Sequence, residues 1–276
     1  MRRRCCRLGD GELSWKSDFV LGHEPLGRRP NIRSELARVR HDPLQKLITL
    51  VSPEPDIVSN DVSRYTEAYY FYYLSLDRYL TAMSIAARYS ARGLRNVRRY
   101  STESERKLAE EYRRVSPFLE YDLSNCIIPS RILFDRVAGL SRFFLAGESL
   151  PSFTSFSDHK KFFSKLKKPY GTHEAYADYI RTKTDWFDMP LKAVRDKFMV
   201  HPSPKHMRFL GYPSGSDYEL LLNIMLPDGE KGEKPFAKTK LILVSPLRLS
   251  YDVDGFLQWF CGYGLNIVGQ ARGAGG

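Results

Sequence analysis

Tyr65, Tyr69, Tyr72, Leu76, Leu80, Met83 and Ala87 recur at intervals of four and three residues. That period places all seven on one face of an α-helix and predicts a single helix of about 25 to 30 residues starting near Ser63. At about 1.5 Å per residue such a rod is roughly 40 Å long, longer than a small domain is wide. The rest of the chain must therefore pack alongside it. Four of the seven positions are hydrophobic aliphatics and three are tyrosines, so the stripe reads as packed core and not as a platform for stacking bases. With 17 tyrosines and 16 phenylalanines in 276 residues, the chain has ample aromatic surface to build such an interior.

Other segments carry the same period. Ile127 to Leu145 places Leu133, Val137, Leu140 and Phe144 inward, with Arg131, Asp135, Arg136 and Arg142 on its other faces. Arg131 and Asp135 then form an i, i+4 surface pair worth about 0.3 kcal/mol. Ser101 to Arg114 opens on a Ser/Thr followed three residues later by Glu, the signature of a reciprocal cap. Shorter helices are expected at Asp158 to Leu166, Glu174 to Lys183 and Val253 to Ile267, the last with Phe256, Phe260, Tyr263 and Ile267 in register. One more is expected around Asn31 to Val51, built on Leu36, Val39, Leu44, Leu47 and Ile48 and interrupted at Pro43. A period of two predicts short strands at His206 to Tyr212, Tyr218 to Leu226 and Lys238 to Val244. Residues 1–60 otherwise read as poorly organised, 61–268 as one mainly α domain with a small antiparallel β element, and 269–276 as a disordered tail.

The formal net charge of +11 favours an anionic partner, nucleic acid first and an acidic protein second. Arg88, Arg92, Arg95 and Arg99 are spaced four, three and four. If the helix runs on past Gly93 they line one face, which either tracks a phosphate backbone or is a solvated basic surface. Lys160, Lys161, Lys165, Lys167 and Lys168 form a second basic cluster within a polar and aromatic insert. Cys5, Cys6, Cys126 and Cys261 lack zinc-site spacing, and reduced thiols in the cytoplasm are the simplest reading. His159, His173 and His206 are scattered, so no metal or other cofactor is expected. There is no phosphate-loop or dinucleotide fingerprint, no nucleophile elbow, no secretory leader pattern and no window of membrane-span length.

One segment combines a helix with chemistry. In Asp185 to Pro202, Phe187, Leu191, Val194 and Phe198 share a face; Asp185 or Asp188 caps the start, Pro190 suits the first turn, and Pro202 ends the helix at or before His201. Arg195 and His201 lie six residues apart, about 9 Å of rise and roughly 240° of rotation, so a straight helix does not let them hold one phosphate together. They converge only if His201 folds back from the loop or a second copy supplies the partner. Arg195 is a permanent cation able to fork onto phosphate oxygens, and His201 titrates near neutral pH. The plainer roles are a surface arginine paired with Asp188 or Asp196, and a histidine placed against the helix dipole.

Arg195-Asp196-Lys197-Phe198-Met199-Val200-His201 resembles the Arg-polar-spacer-His signature of the HEPN superfamily, helical proteins of prokaryotic conflict systems. The segment Ile132 to Phe144 also resembles the second long helix of some HEPN-like families. The resemblance implies an up-and-down helical bundle with the β element after the motif helix, acting as a homodimeric, metal-independent endoribonuclease in a toxin–antitoxin or phage-defence setting. It further implies Arg195, Asp196 and His201 as catalytic residues, a 2′,3′-cyclic phosphate product, and an antitoxin or other protein partner. Lys205, Arg208 and the Arg88 to Arg99 stripe would then be peripheral RNA contacts. The alternative is a non-catalytic module that binds RNA or a protein through the same basic face.

Overall fold

The structure is a computed structural model that describes residues 20–21, 32–51, 60–94, 97, 99–145, 151, 153–165, 173–187, 191, 207–209, 220–226, 238–244 and 246–273. The described chain is mainly helical. Helices α1 (Ile32–Arg40) and α2 (Gln45–Val51) precede the long α3 (Asn60–Ala91), followed by α4 (Glu103–Val115), α5 (Leu119–Leu140), α6 (Phe156–Lys165), α7 (Glu174–Thr182) and α8 (Pro246–Gly273). Strands β1 (Val20–Leu21), β2 (Met207–Phe209), β3 (Leu220–Leu226) and β4 (Lys238–Val244) pair in the order β1-β4-β3-β2. β2–β3 and β3–β4 are antiparallel, and β1 adds parallel to β4.

α3 and α5 form the spine. They run antiparallel, because Asp61 meets Arg142 at one end while Arg78 reaches Asp122 at the other. The aromatic stripe of α3 is interior: Tyr65, Tyr69, Tyr72, Leu76, Leu80 and Met83 are all buried in the main core. Two of its tyrosines tie α3 to the N-terminal helices. Tyr65 donates to the Asp42 carboxylate at 2.6 Å, and Tyr69 to the Val39 carbonyl at 2.7 Å. Asp42 also accepts from the Leu44 N–H at 2.8 Å, so this one side chain closes the break at Pro43 and starts α2. The helix expected around Asn31 to Val51, broken at Pro43, is thus present as α1 and α2, with Val39, Leu44 and Leu47 buried in the main core.

α5 begins eight residues before the expected Ile127 and passes through Pro129. A proline signals a helix end from sequence alone because it removes one N–H. Here Leu133, Phe134 and Val137 beyond it are buried in the same core as Cys126 and Ile127 before it, and burial on both sides outweighs one lost hydrogen bond.

α8 touches the rest of the bundle. Arg38 of α1 bonds to the Ser250 hydroxyl at 2.7 Å and pairs with Asp254 at 3.2 Å. Phe256 packs on Phe134 of α5, and Trp259 stacks on Tyr179 of α7 at 3.6 Å. The helix runs to Gly273, past Ile267 and into the stretch expected to be a tail. Its glycines differ in kind. A Cβ on Gly264 would meet the Leu47 methyls at 2.8 and 2.9 Å, whereas one on exposed Gly262 meets nothing within 4 Å. Gly262→Ala therefore gains about 0.5–1 kcal/mol of helix propensity with no opposing contact. Gly264→Ala gives up that gain to the collision with Leu47. Urea unfolding of the two variants checks the difference.

Among the described residues no helix is long and apolar enough to cross a membrane.

Candidate functional site

The described part of the motif segment is its root, and the root is fixed in the core. α7 ends where the Lys183 N–H donates to the Tyr179 carbonyl at 2.8 Å. Thr184, fully buried, donates its hydroxyl to the Ile180 carbonyl at 2.5 Å, and the Phe187 N–H donates to the Thr184 carbonyl at 3.1 Å. The chain thereby turns directly from α7 into a helical turn at 185–187. Phe187 and Leu191 are fully buried, on the face that the spacing of four predicts.

Two buried cations hold this root. Lys160 of α6, with 9% of its side chain exposed, donates from Nζ to the Thr184 carbonyl at 2.9 Å and to Asp185 Oδ1 at 3.1 Å. Arg131 of α5, with 4% exposed, lies over the Phe187 ring at 4.4 Å. Its guanidinium also pairs with Asp135 and donates to the Ser157 hydroxyl at 3.2 Å. Asp135 Oδ1 accepts in addition from the Phe156 N–H at 2.8 Å, an N–H of the first turn of α6, where the helix dipole favours negative charge. The second cap of that helix is Ser155, whose hydroxyl accepts from the Asp158 N–H. Around this polar knot lies an aromatic cluster centred on Phe134, whose ring contacts Phe156, Trp186 and Phe256 at 5.1 Å each and Phe187 at 5.8 Å.

These positions correct two expectations. Arg131 and Asp135 are not a surface pair: the arginine is interior, where ion pairing and stacking act at low dielectric. Lys160 of the Lys160 to Lys168 basic cluster is buried, whereas Lys161 beside it is exposed. Both cations were readable in outline. Ile127, Arg131, Phe134 and Ala138 are spaced four, three and four, and Phe156, Lys160 and Phe163 four and three, and every apolar member is buried.

His159, also on α6, is fully buried among Phe153, Phe156 and Phe163. Its Nε2 shares a 3.0 Å hydrogen bond with the Tyr176 hydroxyl, while Nδ1 has no partner. Desolvation holds its pKa down at about 3, so the ring is neutral at ordinary pH. His173 bonds instead to the Tyr263 hydroxyl at 3.1 Å. Among the described residues no group of three His, Cys, Asp or Glu side chains is arranged to hold a metal ion. Cys126 and Cys261 are buried thiols.

The residues expected to carry the chemistry fall as follows. Arg195, Asp196, His201 and Lys205 lie outside the described residues, as does Arg95. Arg208 sits on β2 opposite Asn223 of β3. Arg88, Arg92 and Arg99 are exposed, but they do not form one helical face. α3 stops at Ala91, and Gly93 takes a left-handed φ of 64° that ends the helix. The stripe is instead folded against α4, where Arg88 pairs with Glu111 at 3.7 Å and Arg92 donates to the Ser104 hydroxyl at 3.3 Å.

Compared with protein-family models, curated proteins and solved structures, the chain matches none.

Proposed function

We propose that the chain is a HEPN-like bundle, with the small sheet as its addition after the motif segment, and that it cleaves RNA without a metal ion. One observation supports this reading above the others. The Arg195-Asp196 to His201 motif follows a root that buried Lys160 and Arg131, with Phe187 and Leu191, tie into the core. A solvated surface helix does not need two desolvated cations at its start, whereas a site that must present a guanidinium and an imidazole does need a rigid base.

In the proposed reaction His201 moves the proton of the attacking 2′-hydroxyl or of the leaving 5′-oxygen. The 2′-oxygen forms the new bond to phosphorus as the bond to the 5′-oxygen breaks, leaving a 2′,3′-cyclic phosphate and a 5′-hydroxyl. Arg195 forks onto the non-bridging oxygens as their charge builds, and Asp196 orients one of the two. Since Arg195 and His201 lie six positions apart, a homodimer that sets two motif segments around one cleft completes the site. A protein antitoxin that covers the cleft is the matching partner in a defence or toxin system.

The test is cleavage of end-labelled single-stranded RNA by the purified chain in EDTA, beside His201→Ala and Arg195→Ala. Cyclic-phosphate ends from wild type alone, with both variants silent, establish the reaction. Equal RNA binding by all three without cleavage makes the protein a non-catalytic binding module.

A further inference from the structure

We infer that the corner where α3 turns into α4 is a phosphate grip for single-stranded RNA, preformed in the fold and built from residues other than those of the motif. The inference deepens the RNA reading above, in which the Arg88 to Arg99 stripe is a peripheral contact, and it does not depend on cleavage.

The corner is unusual in charge. Between Arg88 and Val115 the sequence carries eight arginines and one lysine against four glutamates and no aspartate. The carboxylates are largely committed. Glu111 faces Arg88, Glu103 pairs with Arg106 at 3.3 Å, and Glu105 closes the N-terminal cap of α4 by accepting from the Ser101 and Thr102 N–H groups. Arg113 bonds to the Tyr100 hydroxyl and also has the Glu110 carboxylate near it, whereas Arg92 bonds to the Ser104 hydroxyl. A neutral partner orients a guanidinium and leaves its charge uncompensated. Arg99 and Arg114, next in sequence to Tyr100 and Arg113, are exposed.

The geometry is held by a small core of its own. Gly93 turns the chain, and Leu94 tucks in with its carbonyl accepting from the Tyr89 hydroxyl at 3.0 Å. Tyr89 then stacks on Tyr112 of α4 at 4.1 Å and 6°, over buried Leu108 and Ala109. The arginines are thus mounted on a fixed corner, so gripping a strand orders little more than their side chains.

RNA fits better than the other anionic partners. Arginine in place of lysine suits bidentate contact with phosphate oxygens. The apolar side of α4 is spent on Tyr89 and Leu94, so it offers no face for insertion into a membrane.

Each phosphate neutralised on a single strand contributes about −0.7 to the slope of log K against log salt. Losing three contacts therefore flattens the slope by about 2 and weakens binding by about 100-fold at 0.1 M salt. The experiment uses the full chain carrying His201→Ala, so that the RNA is not consumed, and a fluorescent 20-nucleotide oligouridine as probe. Arg92→Gln/Arg99→Gln/Arg114→Gln is compared with Arg40→Gln/Arg64→Gln/Arg181→Gln, which removes the same charge elsewhere on the exposed surface. The corner variant should show the flattened slope and the 100-fold loss with an unchanged thermal midpoint, and the control variant should not. The inference fails if the parent does not bind the oligonucleotide, if both triple variants weaken equally, or if polyglutamate or phosphatidylserine vesicles bind the parent as tightly as RNA does. Cleavage by wild type is read separately. RNA bound at the corner but never cut defeats the nuclease reading alone, and cutting with an indifferent corner variant defeats this one alone.

Discussion

Asp135→Ala unfolds with about 3 to 5 kcal/mol less stability than wild type, a loss far larger than an exposed i, i+4 pair can give. The cause is what the carboxylate leaves behind. Arg131 is interior, and without Asp135 its charge is desolvated with its principal anion gone. The Phe156 N–H at the start of α6 loses its acceptor in the same step. Arg131 also carries Phe187, so the damage spreads to the root of the motif segment. Trp186, whose ring meets Phe134 at 5.1 Å and whose Nε1 donates to the Lys183 carbonyl at 3.0 Å, reports on that root. Guanidinium titration gives the stability, and a red shift of tryptophan emission before global unfolding gives the local loosening. Replacing both partners, as Arg131→Met/Asp135→Leu, should recover much of the loss, because an apolar pair leaves no buried charge. A single-variant loss below 1 kcal/mol would show the pair to be hydrated and the account of the root mistaken.

Acidification from pH 6.5 to 4 removes about 3 kcal/mol through His159 alone, at about 1.4 kcal/mol per pH unit in the middle of the window. The folded ring titrates near 3 because it is desolvated, and the unfolded ring near 6.5. Between those values the unfolded chain binds the extra proton, so stability rises with pH through the window. The contribution is complete above 6.5 and absent below 3. Asp42 acts the other way: burial raises its pKa, so the folded chain holds that proton more readily and gains as pH falls towards 3.8. His159→Gln keeps a hydrogen-bonding group towards Tyr176 and does not titrate. It should cost stability at pH 7 and flatten the curve between pH 6.5 and 4.5, above the range of most carboxylates. Parallel curves for the two proteins would mean that the His159 cage opens to water.

The periodic elements were legible because each depends on local spacing. The tyrosine stripe of α3, the Phe187 and Leu191 face, and the Thr102 and Glu105 cap of α4 all lie where the spacing puts them. The candidate site was legible only as a motif. The basic stripe shows why spacing misleads: Arg88 to Arg99 fits a helix period, yet the left-handed Gly93 makes that period irrelevant after Ala91.

The sequence by itself determined which segments are helical, which faces are apolar and where the positive charge is concentrated, since these follow from side-chain chemistry repeated at 3.6 residues per turn. Only the tertiary structure decided that Arg131, Lys160 and His159 are interior, that α5 begins as early as Leu119, and that β1 pairs beside β4. The reason is physical. Whether a charged group can be buried depends on the partner it meets there, and Asp135, the Thr184 carbonyl and the Tyr176 hydroxyl reach these three side chains through folding, not through any property of the residue itself.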